Sequence, residues 1–314
     1  MHAPDGLRAA LPRRVPRGVH PELDELLSLR RYGSAMRSVL ALDVEPREGR
    51  APMARSQGMD YAESRPYSPD DDVRRIDWRI TARTGRAHTK IFRLERCTDL
   101  YCLVDQRAPM GFGTRAALKS VVAAEFAALA GWAAAAGGDR FGALIAGGPD
   151  ASIPTGAAEG AAAALCAALA RSKAGDEPYA KETPLDTLAA RAVEEAASGT
   201  RFLVVSGFTD GDEVLARALK VLRARGALVL VWVLDPMDER LPLPGRYPLT
   251  DGREHVLLDT GAAGVRAAHA RDFARRREWL QRCAALPGTR CHSVRTGQEL
   301  FGALLHPLAF KGPA

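Results

Sequence analysis

The chain is poor in the features that most quickly assign a function. Its longest uninterrupted apolar run is Ala227-Leu-Val-Leu-Val-Trp-Val-Leu234, bounded by Gly226 and Asp235. That is far short of the ~18–20 residues that cross a bilayer as a helix, so no membrane span is expected. The first residues, Met1-His-Ala-Pro-Asp-Gly, lead to Arg13, Arg14 and Arg17 with no apolar segment behind them. A secretory leader is therefore not expected, and the expected compartment is cytoplasmic. Cysteine is scarce: Cys97, Cys102, Cys166, Cys283 and Cys291 form an odd set without a C-x-x-C pair. This argues against a disulfide framework and against a four-thiolate zinc site. Reduced, mostly buried thiols are the simplest expectation.

Catalytic and nucleotide signatures are missing too. Neither G-x-G-x-x-G nor G-x-x-x-x-G-K-[ST] occurs, and Gly111-Phe-Gly113 is a fragment that reads as a turn. There is no G-x-S-x-G nucleophile elbow, because Ser206-Gly207 lacks the preceding Gly-x. The seven histidines are scattered without H-E-x-x-H spacing, so a metal site built on histidine is not expected. No catalytic residue, cofactor or bound metal is expected.

What is present is an ordinary globular composition: 314 residues, 46% hydrophobic and 26% charged. Disordered and fibrous classes are excluded. The length suits one large α/β domain with an appendage, or two domains. Lys+Arg 44 against Asp+Glu 38 gives a net charge of +6. This raises the question of an acidic partner, but so small an excess leaves the function open.

Three regions follow from the pattern. Residues 1–55 are irregular apart from one helix predicted over Pro21–Ser34, with Leu23, Leu26, Leu27 and Leu29 or Leu40 as its apolar stripe, and they end in the linker-like Pro46-Arg-Glu-Gly-Arg-Ala-Pro52. Residues 56–97 are polar, have no helical period and alternate over Ala87–Glu95, which predicts a small β-containing module. Residues 98–314 alternate strand and helix. Strands are predicted at Leu100–Asp105, Arg140–Ala146, Arg201–Ser206, Ala227–Leu234, His255–Leu258 and Arg290–Val294. Helices are predicted at Arg115–Ala136, Ala157–Arg171, Pro184–Ala197, Asp212–Arg225, Ala262–Ala285 and Gly297–Leu305. Such alternation implies βαβ crossovers and a mainly parallel sheet with helices on both faces, a Rossmann-like α/β fold. In such sheets the functional crevice lies beyond the carboxyl ends of the strands, so the loops Asp105–Thr114 and Ser206–Asp210 are the first places to look.

One cluster is dense: Arg65-Pro-Tyr67-Ser-Pro69-Asp70-Asp71-Asp72-Val-Arg74-Arg75-Ile-Asp77-Trp78. It suits a cation site, an acid/base site or an internal ion-pair network. The adjacent arginines neutralise the acids that a hard cation would need, which favours the network. Tyr67 and Trp78 would anchor it apolarly.

At this cluster the chain resembles a bacterial family of unknown function, the MoxR-associated proteins with a von Willebrand factor A-like domain. The family hallmark R-x-Y-x-P-G-D-D-x-R-x-I-D-W is met by Arg65, Tyr67, Pro69, Asp71, Asp72, Arg74, Ile76, Asp77 and Trp78, with Asp70 in place of the glycine. The resemblance continues through Ala82-Arg83-Thr-Gly85, Phe92-Arg-Leu-Glu95 and Leu234-Asp235-Pro236-Met-Asp-Glu-Arg-Leu-Pro242, and covers roughly Ser56 to the C-terminus. It implies a von Willebrand A-like domain and a non-enzymatic adaptor role. The implied partners are a MoxR-type AAA+ ATPase and a client protein, in chaperone-like assembly or maturation of protein complexes, including cofactor-dependent enzymes.

The resemblance also implies a metal-ion-dependent adhesion site, in which a D-x-S-x-S loop, a threonine and a further aspartate build an octahedral oxygen shell for Mg²⁺. Here the loop keeps Asp105 but has Arg107 and Pro109 at the serine positions. Ser206-Gly207-Phe208 stands where S-D-F is common, and Thr183 is the threonine of looser alignment. A degenerate site that binds no metal is therefore expected. Two readings of Arg107 stand: it replaces the cation, pairs with Asp105 and receives a partner's carboxylate, or it points to solvent on a drifted loop.

Two alternatives to the adaptor remain. Nucleic-acid binding is suggested by Arg271, Arg275, Arg276 and Arg277, although the interleaved Asp272 and Glu278 make a solvated face, or a site for an acidic partner surface, the simpler reading. A hydrolase using Asp70–Asp77 lacks a nucleophile, a base and a metal set.

Overall fold

The computed structural model describes residues 15–39, 59–68, 76–94, 99–147, 150–172, 182–250 and 255–299. In chain order the elements are α1 (Leu23–Ser28), a 3-10 turn (Leu29–Tyr32), α2 (Gly33–Val39), β1 (Met59–Pro66), α3 (Trp78–Thr84), β2 (His88–Leu94) and β3 (Asp99–Asp105). Then come α4 (Lys119–Ala136), β4 (Arg140–Ala146), β5 (Ala151–Ala157), α5 (Ala158–Arg171), α6 (Leu185–Glu195), β6 (Arg201–Ser206), α7 (Asp212–Arg225) and β7 (Leu228–Leu234). The last are α8 (Pro236–Glu239), β8 (Arg246–Thr250), β9 (His255–Asp259), α9 (Ala263–Ala284) and β10 (Thr289–Arg295). The chain divides into two compact units, residues 46–97 and the remainder.

The larger unit is built on a six-stranded sheet of order β10-β7-β6-β3-β4-β5, parallel except where β5 runs antiparallel to β4. Alternating residues of one strand face opposite layers, as the two-residue period of a strand requires. In β3, Leu100, Cys102 and Val104 join the core under α4 and α5, while Tyr101 and Leu103 join the core under α6, α7 and α9. Strands covered on both faces carry no polar alternation, hence the continuous apolar texts of β6 and β7.

Helix α4 is apolar on every side, and its residues 119–134 are buried. By length and composition it is apolar enough to cross a membrane; here it lies in the core, against the sheet on one side and α1, α2 and α5 on the others. The sequence reading sets residues 1–55 apart, whereas α1 and α2 pack into this same core through Leu26, Leu29 and Met36. Burying each such side chain contributes roughly 1.5–3 kcal/mol. Trp132 Nε1 donates to the Leu26 carbonyl at 3.0 Å, and Arg37 pairs with Asp139 at 2.5 Å. The expected stripe is corrected: Leu23 and Leu27 are exposed, and Leu40 lies outside the described residues.

Two strands were not expected. β5 (Ala-Ser-Ile-Pro-Thr-Gly-Ala) has neither an apolar run nor clean alternation, because an edge strand that admits Pro154 satisfies only one partner. β8 hides in the Pro-rich stretch and pairs with β9 in a hairpin of its own. The helix expected over Gly297–Leu305 falls mostly outside the described residues; Thr296–Gln298 form turn structure.

The smaller unit pairs β1 and β2 antiparallel, with one register irregularity between Tyr61 and Glu63. It also contains α3, which the absence of helical period had not announced. Asp77 caps α3 by accepting from the N–H groups of Arg79 and Ile80 at 3.1 and 3.2 Å. Gly85, with φ +71°, ends it in the left-handed region.

Candidate functional site

The chain passes from β3 to β4 on one side and later returns at β6 on the other. The carboxyl ends of β3 and β6 are therefore the topological switch point, where open α/β sheets place their ligands. Asp105 ends β3, Ser206 ends β6, and both are buried.

Between them lies Arg107. Its Nε and Nη2 donate to the two oxygens of Asp105, each at 2.9 Å. Nη1 and Nη2 donate to the two oxygens of Asp210 at 2.9 and 2.8 Å, and Nη1 also donates to the Thr183 carbonyl at 3.1 Å. A guanidinium has five N–H donors, and all five are used. Asp105 in turn accepts from the Arg107 backbone N–H at 3.0 Å and from Ser206 Oγ at 2.6 Å. Burial alone works against a charged guanidinium, but the bonds to two carboxylates outweigh it and raise the Arg107 pKa. Burial likewise works against ionised Asp210, and Arg107 outweighs it, holding that carboxyl below its ordinary value.

The expected pairing of Arg107 with Asp105 is present, and the rest of both sequence readings is corrected by this geometry. The side chain is 5% exposed, so it does not point to solvent, and it has no donor left for an incoming carboxylate. The second carboxylate, expected to be missing at Gly207, is supplied three residues later by Asp210. A side chain at 207 would start beside Met110 Sδ and the Val233 carbonyl. The chain turns instead at Phe208, the one non-glycine residue with positive φ among those described, at +48°. This strained conformation costs on the order of 1–3 kcal/mol. It is held by the Phe208 N–H on Ser206 Oγ at 3.0 Å and by the Phe208 ring on Trp279, centroids 5.6 Å apart. Asp210 was findable only as part of the flagged loop, since its partner lies 103 residues earlier.

Thr183 contributes its carbonyl to the cluster, while its hydroxyl faces Asp150 at 3.4 Å. Glu182, beside it, accepts from the Ala108 N–H. The residues present do not fit a divalent cation, because the place between the two carboxylates is taken by a cationic side chain. Among the described residues no group of three or more His, Cys, Asp or Glu is placed to hold a metal.

A second carboxylate hub explains part of the Leu234–Pro242 text. Asp235 accepts from the Thr114 N–H and hydroxyl, the Thr296 hydroxyl and the Met237 N–H. It thereby ties the loops after β3, β7 and β10 together. Burial works against its charge, but these donors prevail and its pKa is lowered.

The hallmark cluster is only partly described. Arg65 lies in β1 opposite Thr89, Tyr67 is half-buried and donates its backbone N–H to the Ala87 carbonyl, and Asp77 is the cap of α3. Trp78 is 68% exposed, so the expectation that it anchors the cluster apolarly is corrected. Asp71, Asp72 and Arg74 lie outside the described residues. Of the basic helix residues, Arg271 and Arg275 are exposed on α9 and Arg276 and Arg277 half-buried. Cys102, Cys166, Cys283 and Cys291 are free and buried, and burial pushes the Cys166 thiol up to about 12; Cys97 lies outside the described residues.

Among solved structures, the chain is similar to the conserved hypothetical protein BatB from Bacteroides thetaiotaomicron, with 12% identity, 66% of this chain and 93% of that chain covered, and a TM-score of 0.40. It is also similar to an aerotolerance-related membrane protein from Bacteroides fragilis, with 10% identity, 66% and 94% coverage, and a TM-score of 0.38. Scores this low carry no argument. Curated relatives include the uncharacterized proteins Mb1516 of Mycobacterium bovis and Rv1480 of Mycobacterium tuberculosis, each 31% identical over 245 residues, which is 69% of this chain and 71% of theirs. Residues 63–279 match the family described as protein of unknown function DUF58. With that match spanning the hallmark segment, five of the six strands of the sheet and most of α9, the chain belongs to the DUF58 family, the MoxR-associated family.

Proposed function

We propose that this protein is a non-enzymatic interaction module with a von Willebrand A-like domain, whose adhesion site has been rebuilt around an internal arginine. One observation carries the reading: the guanidinium of Arg107 stands between Asp105 and Asp210 at the switch point, with every donor engaged. The acids there are consumed as its counter-ions, leaving no free base or nucleophile among them for chemistry. Membership of the MoxR-associated family supports a MoxR-type AAA+ ATPase as partner, with a client protein to be assembled or matured in the cytoplasm.

The site is tested by thermal unfolding with and without Mg²⁺. Wild-type protein is expected to show no shift. Arg107→Ser, which frees two carboxylates and adds a hydroxyl, is expected to gain a Mg²⁺-dependent rise. A rise in the wild type that Asp105→Ala abolishes overturns the reading. The partner is tested by co-elution with a MoxR-type ATPase from the same genome, with ATP and with ADP. Nucleotide-dependent co-elution is expected, and none in either state overturns the adaptor role.

A further inference from the structure

Beyond the carboxyl ends of β7 and β10 the surface is hollowed by an open cavity of about 540 Å³. Arg115 and Ala116 ahead of α4, Pro236 after β7 and residues 295–298 at the end of β10 line it. That size suits a small organic molecule, and open α/β sheets receive ligands beyond the carboxyl ends of their strands. The Arg107 cluster takes no part in it, since none of its residues lines the cavity.

One carboxylate fixes all three segments of the wall. Buried Asp235 accepts from Thr114, Met237 and Thr296, each of which lines the cavity or adjoins a residue that does. Arg295 is held separately, with Nε and Nη2 both on Glu239 Oε1 at 2.5 Å. Gly297 has φ +78°, and a Cβ there would start 3.1 Å from Arg115 Cβ, so the glycine admits the stem of Arg115. The cavity is thus organised in advance, which lowers the ordering cost of binding.

Its lining is rich in donors and short of anions. Arg115 is exposed, and among the described residues no acceptor reaches its guanidinium or the side-chain amide of Gln298. The acids nearby are engaged: Asp235 by its four donors, Glu239 by Arg295, and Asp238 by the Asp235 N–H and by Lys119 Nζ at 3.3 Å. Glu299, next in the chain, does not line the cavity. With Arg295 and Glu239 cancelling, the charge of Arg115 is left over. A phosphate monoester, at about −1.5 to −2 near neutral pH, would overshoot it. A single carboxylate matches it and accepts two parallel N–H bonds from a guanidinium.

We propose that this cavity binds a small organic acid through one carboxylate. Arg115 is its counter-charge, Arg295 Nη1 and the Gln298 amide are further donors, and Ala116 and Pro236 meet its hydrocarbon body. This site goes beyond the adaptor reading and does not depend on it.

The test is isothermal titration of the full chain at constant ionic strength with phenylacetate, neutral phenylacetamide and phenyl phosphate. Phenylacetate is expected to bind saturably at one site, phenyl phosphate more weakly and the amide not at all. Arg115→Gln should weaken phenylacetate at least ~10-fold, and Gln298→Ala should weaken it less, with both variants unfolding at the wild-type temperature. Ala116→Trp, which fills the cavity from an exposed position, should abolish binding without touching a charge. Arg271→Gln removes an exposed arginine of α9 outside the cavity and should leave the affinity unchanged. No saturable binding of phenylacetate, equal binding of the amide or tighter binding of phenyl phosphate overturns the proposal. So does unaltered affinity in Ala116→Trp, or the same loss in Arg271→Gln as in Arg115→Gln.

Discussion

The switch point of the six-stranded sheet and the separate β8–β9 hairpin are opposite in character. At the first, a charged side chain is nearly sealed and every donor is satisfied from within. At the second, apolar side chains on both faces of a two-stranded hairpin stand in water. A crevice that has provided its own cation has no donor left over, whereas the hairpin leaves apolar side chains uncovered.

The largest expected effect breaks the first region. Arg107→Met leaves Asp105 and Asp210 facing each other without a cation, and breaking a buried pair in this way costs about 3–5 kcal/mol, measured by urea unfolding at neutral pH. The lowered Asp210 pKa stabilises the native state above the ordinary carboxylate range and ceases to do so as pH falls through it. The gap between wild type and variant should therefore narrow below about pH 4.

A second acid response separates this cluster from the rest of the sheet. His292 of β10 is buried, neither ring nitrogen has a hydrogen-bond partner among the described residues, and burial, with Arg290 nearby, lowers its pKa to about 4. The folded state thus resists protonation that the unfolded chain accepts near pH 6.5. Stability is complete above that pH and declines as pH falls toward about 4. At about 1.4 kcal/mol per pKa unit the loss is on the order of 3 kcal/mol. His292→Leu should flatten this window and leave the carboxylate response below it intact; an unchanged slope refutes the assignment.

Smaller effects sharpen the contrast. Asp77→Ala removes the cap of α3 and should cost about 1 kcal/mol locally, seen as faster amide exchange at Arg79 and Ile80. Val256→Ser with Leu257→Ser should change stability by no more than about 0.5 kcal/mol, because these side chains are not buried. A loss of several kcal/mol would mean that the hairpin is part of the core.

Legibility followed burial and sequence distance. β4, β6 and α7 match their predicted bounds, since their periodicity is imposed by covering the sheet. Edge strand β5 and the small helix α3 left no such imprint. Asp105 and Arg107 were readable because they are two residues apart on one loop. Asp210 was not, because whether an acid 103 residues away reaches a guanidinium depends on strand order and on one left-handed residue, Phe208.

By itself the amino-acid sequence determined the α/β alternation, the scarcity of cysteine and the presence of an arginine two residues after the acid that ends β3, because these are properties of local pattern and side-chain chemistry. Only the tertiary structure decided where that arginine points, which second carboxylate it holds and which apolar residues stay in water. Those follow from the order in which strands pair and loops converge, which no single stretch of chain encodes.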